Sequence, residues 1–231
     1  MKSILLLSAG LDSAVSMAVA ARETEIARAL TLDYGQRAAA REIEQSRRLA
    51  SHFGVAHEVI RLDFLARLTA TALVNSSETV PEPDEGDLDD VRGRALDTAR
   101  KVWVPNRNGL FINIAAAFAE ALGAELIVTG FNAEEAATFP DNTPQFVEAA
   151  NQALAYSTLN RVRVVSYTQN LSKAEIVDLG AELGVPFEHI WSCYHGAERM
   201  CGRCESCRRL IRALKCSGRL EILDKLFESG R

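Results

Sequence analysis

Short aliphatic runs alternate with longer amphipathic stretches along most of the chain. Ser3 to Leu7 has the pattern of a buried strand, and turn residues then lead into an Ala-rich helix former from Ala14 to Arg22. Ile26 to Leu32 predicts a second strand. After Tyr34-Gly35-Gln36 comes a helical stretch from Arg37 to Phe53, in which Ile43, Leu49, Ala50 and Phe53 fit one apolar side. Val59 to Leu62, just past Gly54, is a third strand. The rhythm resumes with a helix from Gly109 to Leu122, a strand from Glu125 to Thr129 and a helix from Pro144 to Tyr156. A fifth strand, Val162 to Val165, precedes a helix from Ser172 to Leu183, with Gly184 as its C-cap. This grammar predicts an α/β fold: a doubly wound, mostly parallel five-stranded sheet with helices on both faces. Arg208 to Phe227 reads as amphipathic helix broken at Gly218. No internal repeat or low-complexity tract interrupts the pattern.

One stretch departs from it. Residues 75–100 hold Pro81, Pro83, Gly86 and Gly93, with seven acidic residues between Glu78 and Asp90. Such a loop is either a solvated excursion or a lid over a substrate.

The chain has 231 residues, 48% hydrophobic and 25% charged, which excludes a disordered chain, a collagen-like fibre and a disulfide miniprotein. No apolar run reaches the roughly 18 residues of a spanning helix, so no membrane partner is expected. The start, MKSILLLSAG, is too short for a signal peptide, and a cytoplasmic location is expected. A net charge of −5 argues against a long nucleic-acid footprint. All five cysteines follow residue 192, and four fall within fifteen positions, which in a cytosolic chain points to metal rather than disulfides. Two units are therefore expected: an α/β domain over 1–190 and a small C-terminal zinc-binding segment with helices over 191–231.

Ser8-Ala9-Gly10-Leu11-Asp12-Ser13 lies where an open parallel sheet places ligands, between a strand's carboxyl end and the next helix. Small residues let backbone approach an anion, and free N–H groups with the helix dipole attract phosphate. Asp12 is the odd member, because a carboxylate beside phosphate is repelled unless a cation such as Mg²⁺ bridges them. The competing reading is an ordinary strand–helix turn capped by Asp12 or Ser13. The loop lacks the Gly-Lys-Ser/Thr of a Walker A motif and the Gly-x-Gly-x-x-Gly of dinucleotide folds.

Cys193-x7-Cys201-x2-Cys204-x2-Cys207 offers four thiolates, the donor set of a closed structural zinc site, one Zn²⁺ per chain. Iron–sulfur ligation and a redox dithiol are the competitors. His195 reads as a bystander, and Cys216 as a semi-buried structural thiol.

The first hexapeptide resembles the Ser-Gly-Gly-x-Asp-Ser loop of the N-type ATP pyrophosphatases, with Ala9 in place of the first Gly. A methyl group is tolerated there if φ stays negative. With the cysteine spacing, the chain resembles the 7-cyano-7-deazaguanine synthase family within that superfamily. Asp33-Tyr34-Gly35-Gln36-Arg37, Val104-Pro105-Asn106-Arg107-Asn108, Phe139-Pro140-Asp141, Ser172-Lys173-Ala174-Glu175-Ile176 and Trp191-Ser192-Cys193-Tyr194 carry the likeness across the whole chain. Asn106 replaces a Gly, and Asn132 to Thr138 departs from the family's usual segment.

The resemblance implies ATP-dependent conversion of 7-carboxy-7-deazaguanine and ammonia to the nitrile, through an adenylated carboxylate, the amide and an adenylated amide. It implies an ATP cradle of Leu7, Ser8, Ala9, Gly10, Leu11, Asp12, Ser13, Ala14, Val15, Ser16 and Met17. Ser8, Gly10, Asp12 and Ser13 form its phosphate and Mg²⁺ core. Lys173 would neutralise the β- and γ-phosphates; otherwise it is an exposed lysine at a helix start. Arg107 and Asn108 would hold ATP or the substrate carboxylate, or else cap locally. Asp141 would read the guanine-like edge. The resemblance also suggests a homodimer.

An ATP-dependent tRNA-modifying enzyme of the thiolation type shares such a loop. The run Arg199, Arg203, Arg208, Arg209, Arg212, Lys215 and Arg219 favours it, while the acidic net charge opposes it. That run reads first as compensation for thiolate charge.

Overall fold

The computed structural model describes residues 1–227. Five strands, β1 (Lys2–Leu6), β2 (Glu25–Asp33), β3 (His57–Arg61), β4 (Leu126–Thr129) and β5 (Arg163–Ser166), form one sheet in the order β3-β2-β1-β4-β5. Every neighbouring pair is parallel. The helices are α1 (Leu11–Glu23), α2 (Ala39–His52), α3 (Asp63–Leu68), α4 (Arg94–Val102) and α5 (Arg107–Leu122). They continue with α6 (Ala133–Ala136), α7 (Pro144–Ser157), α8 (Lys173–Glu182), α9 (Glu205–Cys216) and α10 (Leu220–Leu226). The fold is thus the α/β sheet that the sequence pattern predicts.

Successive strand residues point to opposite faces, which divides the core in two. Leu5, Leu7, Ala29 and Val128 pack with α1, α2, α8 and α9, whereas Ile4, Leu30, Ile127 and Val164 pack with α5 and α7. Both faces are covered, so the central strands β1 and β4 are near-continuous buried runs rather than alternating ones. Residues from 191 onward share the first of these cores: Cys204, Leu210 and Leu214 are buried with Val15, Ile176 and Val177. No helix among the described residues is long and apolar enough to cross a membrane.

The strand order reverses between β1 and β4, the position at which such sheets open a crevice beyond their carboxyl ends. Gly130 closes that junction. A Cβ there would stand 2.7 Å from the Ser13 amide nitrogen and 2.9 Å from the Asp12 carbonyl carbon.

Two expectations need correction. Residues 75–100 are not an open excursion: Glu85–Asp89 forms a 3₁₀ turn, and α4 begins at Arg94. Its buried Ala95, Thr98, Ala99 and Val102 follow i, i+3, i+4, i+7 spacing, a helical signal masked by the Pro and Gly before it. Likewise α5 starts at Arg107 rather than Gly109, because Asn106 adopts a left-handed conformation (φ 52°) and launches the helix two residues earlier. Asn tolerates that region through its short polar side chain, which explains how it stands in for glycine.

Gly130→Ala should push the β1–α1 loop out of place. We expect a loss of about 1–3 kcal/mol in thermal or urea denaturation, as for other overpacked sites, together with weakened ATP binding.

Candidate active site and thiol cluster

The loop after β1 is set by backbone hydrogen bonds before any ligand arrives. Leu7 N–H donates to Leu30 O at 2.8 Å, and the Thr31 hydroxyl donates to Leu7 O at 2.7 Å. Ser13 Oγ donates to Gly10 O at 3.0 Å and accepts from Ser8 N–H at 3.3 Å, folding the loop onto the start of α1. Gly10 is the N-cap and offers no side-chain cap, so the first-turn amides of α1 stay open to an anion.

Ala9 does not keep the negative φ that its methyl group would prefer. Its φ is 59°, and it is fully buried. Its carbonyl accepts the Trp191 N–H at 2.9 Å, which holds the residue in that conformation. The left-handed region costs an alanine about 1–2 kcal/mol. Burial of the methyl returns about 0.8 kcal/mol and offsets part of that cost.

Lys173 is not an exposed lysine. It opens α8, where Ser172 and Glu175 form a reciprocal capping box and Lys173 N–H donates to Glu134 Oε1 at 2.8 Å. Its Nζ lies 2.5 Å from Asp12 Oδ2 and 2.7 Å from Glu135 Oε1. Burial drives the Asp12 carboxyl up to about 6, against the pull of Lys173. For Lys173, burial alone would lower the pKa, but the two facing carboxylates hold it well above the ordinary lysine range. Glu135 stays low because Lys173 outweighs its own burial. Asp12 Oδ1 is buried and has no hydrogen-bond partner. An orphaned acceptor at a helix N-terminus beside an anion site fits a divalent cation, as the Mg²⁺ expectation requires.

The same cleft extends from the phosphate loop to the ends of β2 and β4. Its walls include Ser8, Asp12, Ser13, Lys173, Tyr34, Glu42, Arg107, Asn108, Phe111, Phe139, Asn142 and Trp191. Arg107 Nη1 donates to Tyr34 Oη at 3.3 Å, and its guanidinium sits 5.9 Å from the Tyr34 ring centroid. Desolvation works against its charge, but Tyr34 and Asp141 raise the pKa further above its usual value. Asn108 donates to the Asp141 backbone carbonyl at 3.3 Å. Asp141 is half-buried beside Arg107. Its carboxylate accepts from the Asn142 amide at 3.3 Å, and Asn142 occupies the wall. Of the cradle residues, Leu7, Ser8, Gly10, Leu11, Asp12 and Ser13 face the cleft. Ala14, Val15, Ser16 and Met17 are buried beneath it in α1.

Cys193, Cys201, Cys204 and Cys207 bring their sulfurs within 4.8 Å of one another. Cys201 and Cys207 are 3.9 Å apart, close to the edge of about 3.8 Å that four 2.3 Å Zn–S bonds in a tetrahedron require. Backbone N–H groups of His195 and Cys201 donate to Cys193 Sγ, and those of Arg203 and Cys204 to Cys201 Sγ. The donor set and its N–H···S support fit a closed metal site. The His195 ring lies beside Glu82 at 3.5 Å rather than among the sulfurs. Cys216 is exposed, not semi-buried, because it falls on the last, solvent-facing turn of α9.

The arginines near the cluster meet carboxylates, not thiolates. Arg212 pairs with Asp89 at 2.7 Å and Glu134 at 3.2 Å, Arg209 with Glu205 at 2.9 Å, and Arg203 with Glu82 at 3.4 Å. Arg208 reaches Asp84 at 4.0 Å. The acidic stretch and the basic run, read apart in the sequence, therefore neutralise each other. Sequence reasoning also missed Glu135 and Glu42. The adjacent Glu134 and Glu135, just past the carboxyl end of β4, were the available signal for the first.

Fold and cleft together define an α/β enzyme with a ligand crevice at the switch point of its sheet and a four-thiol cluster that could hold a metal ion. Residues 2–218 match the family described as queuosine biosynthesis protein QueC, and the chain belongs to that family. Curated relatives named 7-cyano-7-deazaguanine synthase include one from Pelotomaculum thermopropionicum, 59% identical over 94% of this chain and 98% of that protein. Others come from Desulforudis audaxviator (55%, covering 96% and 100%) and Methanosarcina mazei (48%, covering 99% and 98%). Among solved structures, a U34-tRNA thiolase from Methanococcus maripaludis gives a TM-score of 0.49 at 13% identity over 96% of this chain and 66% of that one. That likeness carries no functional reading.

Two measurements follow from the buried charge cluster. Lys173→Met leaves two facing carboxylates without a counter-charge and should cost about 3–5 kcal/mol in urea denaturation. As pH falls through about 6, Asp12 takes up a proton, and kcat/KM for ATP should fall with it. The raised value means that the folded state holds this proton more tightly than the unfolded chain, so activity is lost while the fold survives.

Proposed function

We propose that this chain catalyses ATP-dependent conversion of 7-carboxy-7-deazaguanine and ammonia to 7-cyano-7-deazaguanine. The observation that carries the reading is one cleft holding a phosphate loop, a buried lysine and an arginine across from them, in a chain 59% identical to a synthase of that name.

A carboxylate is a poor electrophile until one of its oxygens becomes a leaving group. The substrate carboxylate attacks the α-phosphorus of ATP, the bond to the β-phosphate oxygen breaks, and pyrophosphate departs. Ammonia then displaces AMP and loses a proton, giving the amide. The amide oxygen attacks a second ATP, and AMP leaves with two amide protons lost as C≡N forms. The protein's part is positioning and charge neutralisation. Open amides of α1 with Ser8 and Ser13 hold the phosphates, and Lys173 faces the departing pyrophosphate. Arg107 holds the carboxylate, steadied by Tyr34, while Asn108 is fixed through the Asp141 carbonyl. Asp141 balances the charge of Arg107. Asp12 and its orphaned oxygen would hold Mg²⁺, which screens the polyphosphate when bound.

The four-thiol site would hold one structural Zn²⁺. Four unpaired thiols in one cluster suit a reducing compartment, in keeping with a cytoplasmic enzyme. The reading includes a homodimer that acts on small molecules, with neither nucleic acid nor membrane as partner. Arg203, Arg208, Arg209 and Arg212 of the basic run each face a carboxylate, which supports the small-molecule reading over a tRNA footprint.

Incubation with ATP, Mg²⁺, ammonium and 7-carboxy-7-deazaguanine should give the nitrile by mass. Elemental analysis should return about one zinc per chain, as a Cys₄ site binds. Asp12→Ala should lose AMP formation and keep the zinc. Absence of AMP in the wild type, or near wild-type rates in that variant, would refute the assignment.

A further inference from the structure

Beyond the phosphate loop, the cleft ends in a pocket built by the Asp33-Tyr34-Gly35-Gln36-Arg37 stretch and the first turns of α2. Of this stretch only Tyr34, which steadies Arg107, has a role in the reaction above. Gln36 is buried, and its amide is committed on both sides. Its oxygen accepts the Tyr34 N–H at 2.9 Å, and its nitrogen donates to Leu32 O at 3.2 Å and to Glu42 Oε2 at 2.7 Å. Glu42 is thereby held in one orientation with its carboxylate in the cleft wall, between Gln36 and the Arg107 side. That bond fixes one carboxylate oxygen of a residue that lines the cleft. Flat apolar surface lies beside it: the Tyr34 and Phe111 rings are 5.8 Å apart and both line the cleft.

A cleft-lining carboxylate with one oxygen held by an amide asks for a ligand with donors. An ionised carboxylate only accepts hydrogen bonds. The edge of a 7-deazaguanine presents two adjacent donors, the ring N1–H and the 2-amino N–H. The edge of adenine presents one donor beside a ring acceptor, which a carboxylate repels. The pocket therefore discriminates between the two bases that this reaction brings together. Burial raises the Glu42 carboxyl, while Gln36 and then Arg107 favour its charged form.

We propose that Glu42, locked by Gln36, is the specificity residue that accepts the N1–H and 2-amino N–H of the deazaguanine substrate, the task the sequence assigned to Asp141. The inference rests on the synthase reading above. It places the ring against Tyr34 and Phe111 and the carboxyl group toward Arg107 and the phosphate loop.

Steady-state kinetics of Glu42→Gln tests it. Loss of a hydrogen bond to a charged acceptor should raise KM for 7-carboxy-7-deazaguanine by about 10- to 100-fold. KM for ATP should stay within about twofold, since ATP binding also reports on an intact fold and loop. The wild type should likewise discriminate against the analogue lacking the 2-amino group, and the variant should treat the two alike. An unchanged KM for the acid, or a shift in KM for ATP instead, would overturn the assignment. So would a wild type indifferent to the 2-amino group, whatever the variant does. A wild type that converts no acid at all would remove the synthase reading, and this inference with it. Normal turnover with an indifferent Glu42→Gln would remove this inference alone.

Discussion

The contact between Lys173 and the carboxylates of Asp12 and Glu135 is the constraint around which the cleft is organised. Two acids and one base meet out of water, at distances of 2.5 and 2.7 Å. Removal of the lysine would leave two buried carboxylates facing each other, so α1, α6 and α8 are held in register through that one cation. Each element contributes one side chain from its first turn or close to it. The site is thus a product of where helices begin, which the crossover from each parallel strand determines. The cluster carries one surplus negative charge and an orphaned Asp12 oxygen, an arrangement that suits a cation.

The thiol cluster stands behind that site rather than in it. Trp191 donates its backbone N–H to Ala9, and its indole donates to the Cys193 carbonyl at 2.9 Å. One short stretch therefore ties the strained residue of the phosphate loop to the first cysteine of the thiol cluster. From the other side, α9 brings Arg209 and Arg212 to Glu134, next to the lysine's partner Glu135. A metal in the thiol site would rigidify the loop at both ends without taking part in the chemistry. The acidic stretch clamped on α9 completes this support through Val80 and Leu88, both buried.

Much of this was legible in the sequence because the signals were local. The strands were continuous aliphatic runs, the phosphate loop sat at a strand–helix junction, and the thiols had ligand spacing. What escaped was non-local or conditional on backbone shape. The partner of Lys173 lies 161 positions away in sequence, and no spacing rule reports it. The backbone of Ala9 is decided by Trp191, not by its own preference. The basic run near the cysteines looked like a nucleic-acid or thiolate patch until folding brought Glu82, Asp84 and Asp89 against it. Asp141 sat in the expected motif, yet its side chain turned to Asn142, and Glu42, on an otherwise ordinary amphipathic helix, occupies the wall.

The central claim is that the cleft activates an oxygen of the substrate by adenylation, twice. It is tested most directly by following isotope from 7-carboxy-7-deazaguanine labelled with ¹⁸O at both carboxylate oxygens. The account predicts two AMP per nitrile, each carrying one labelled oxygen in its phosphate, with unlabelled pyrophosphate. Label in inorganic phosphate, formation of ADP, or unlabelled AMP would contradict it.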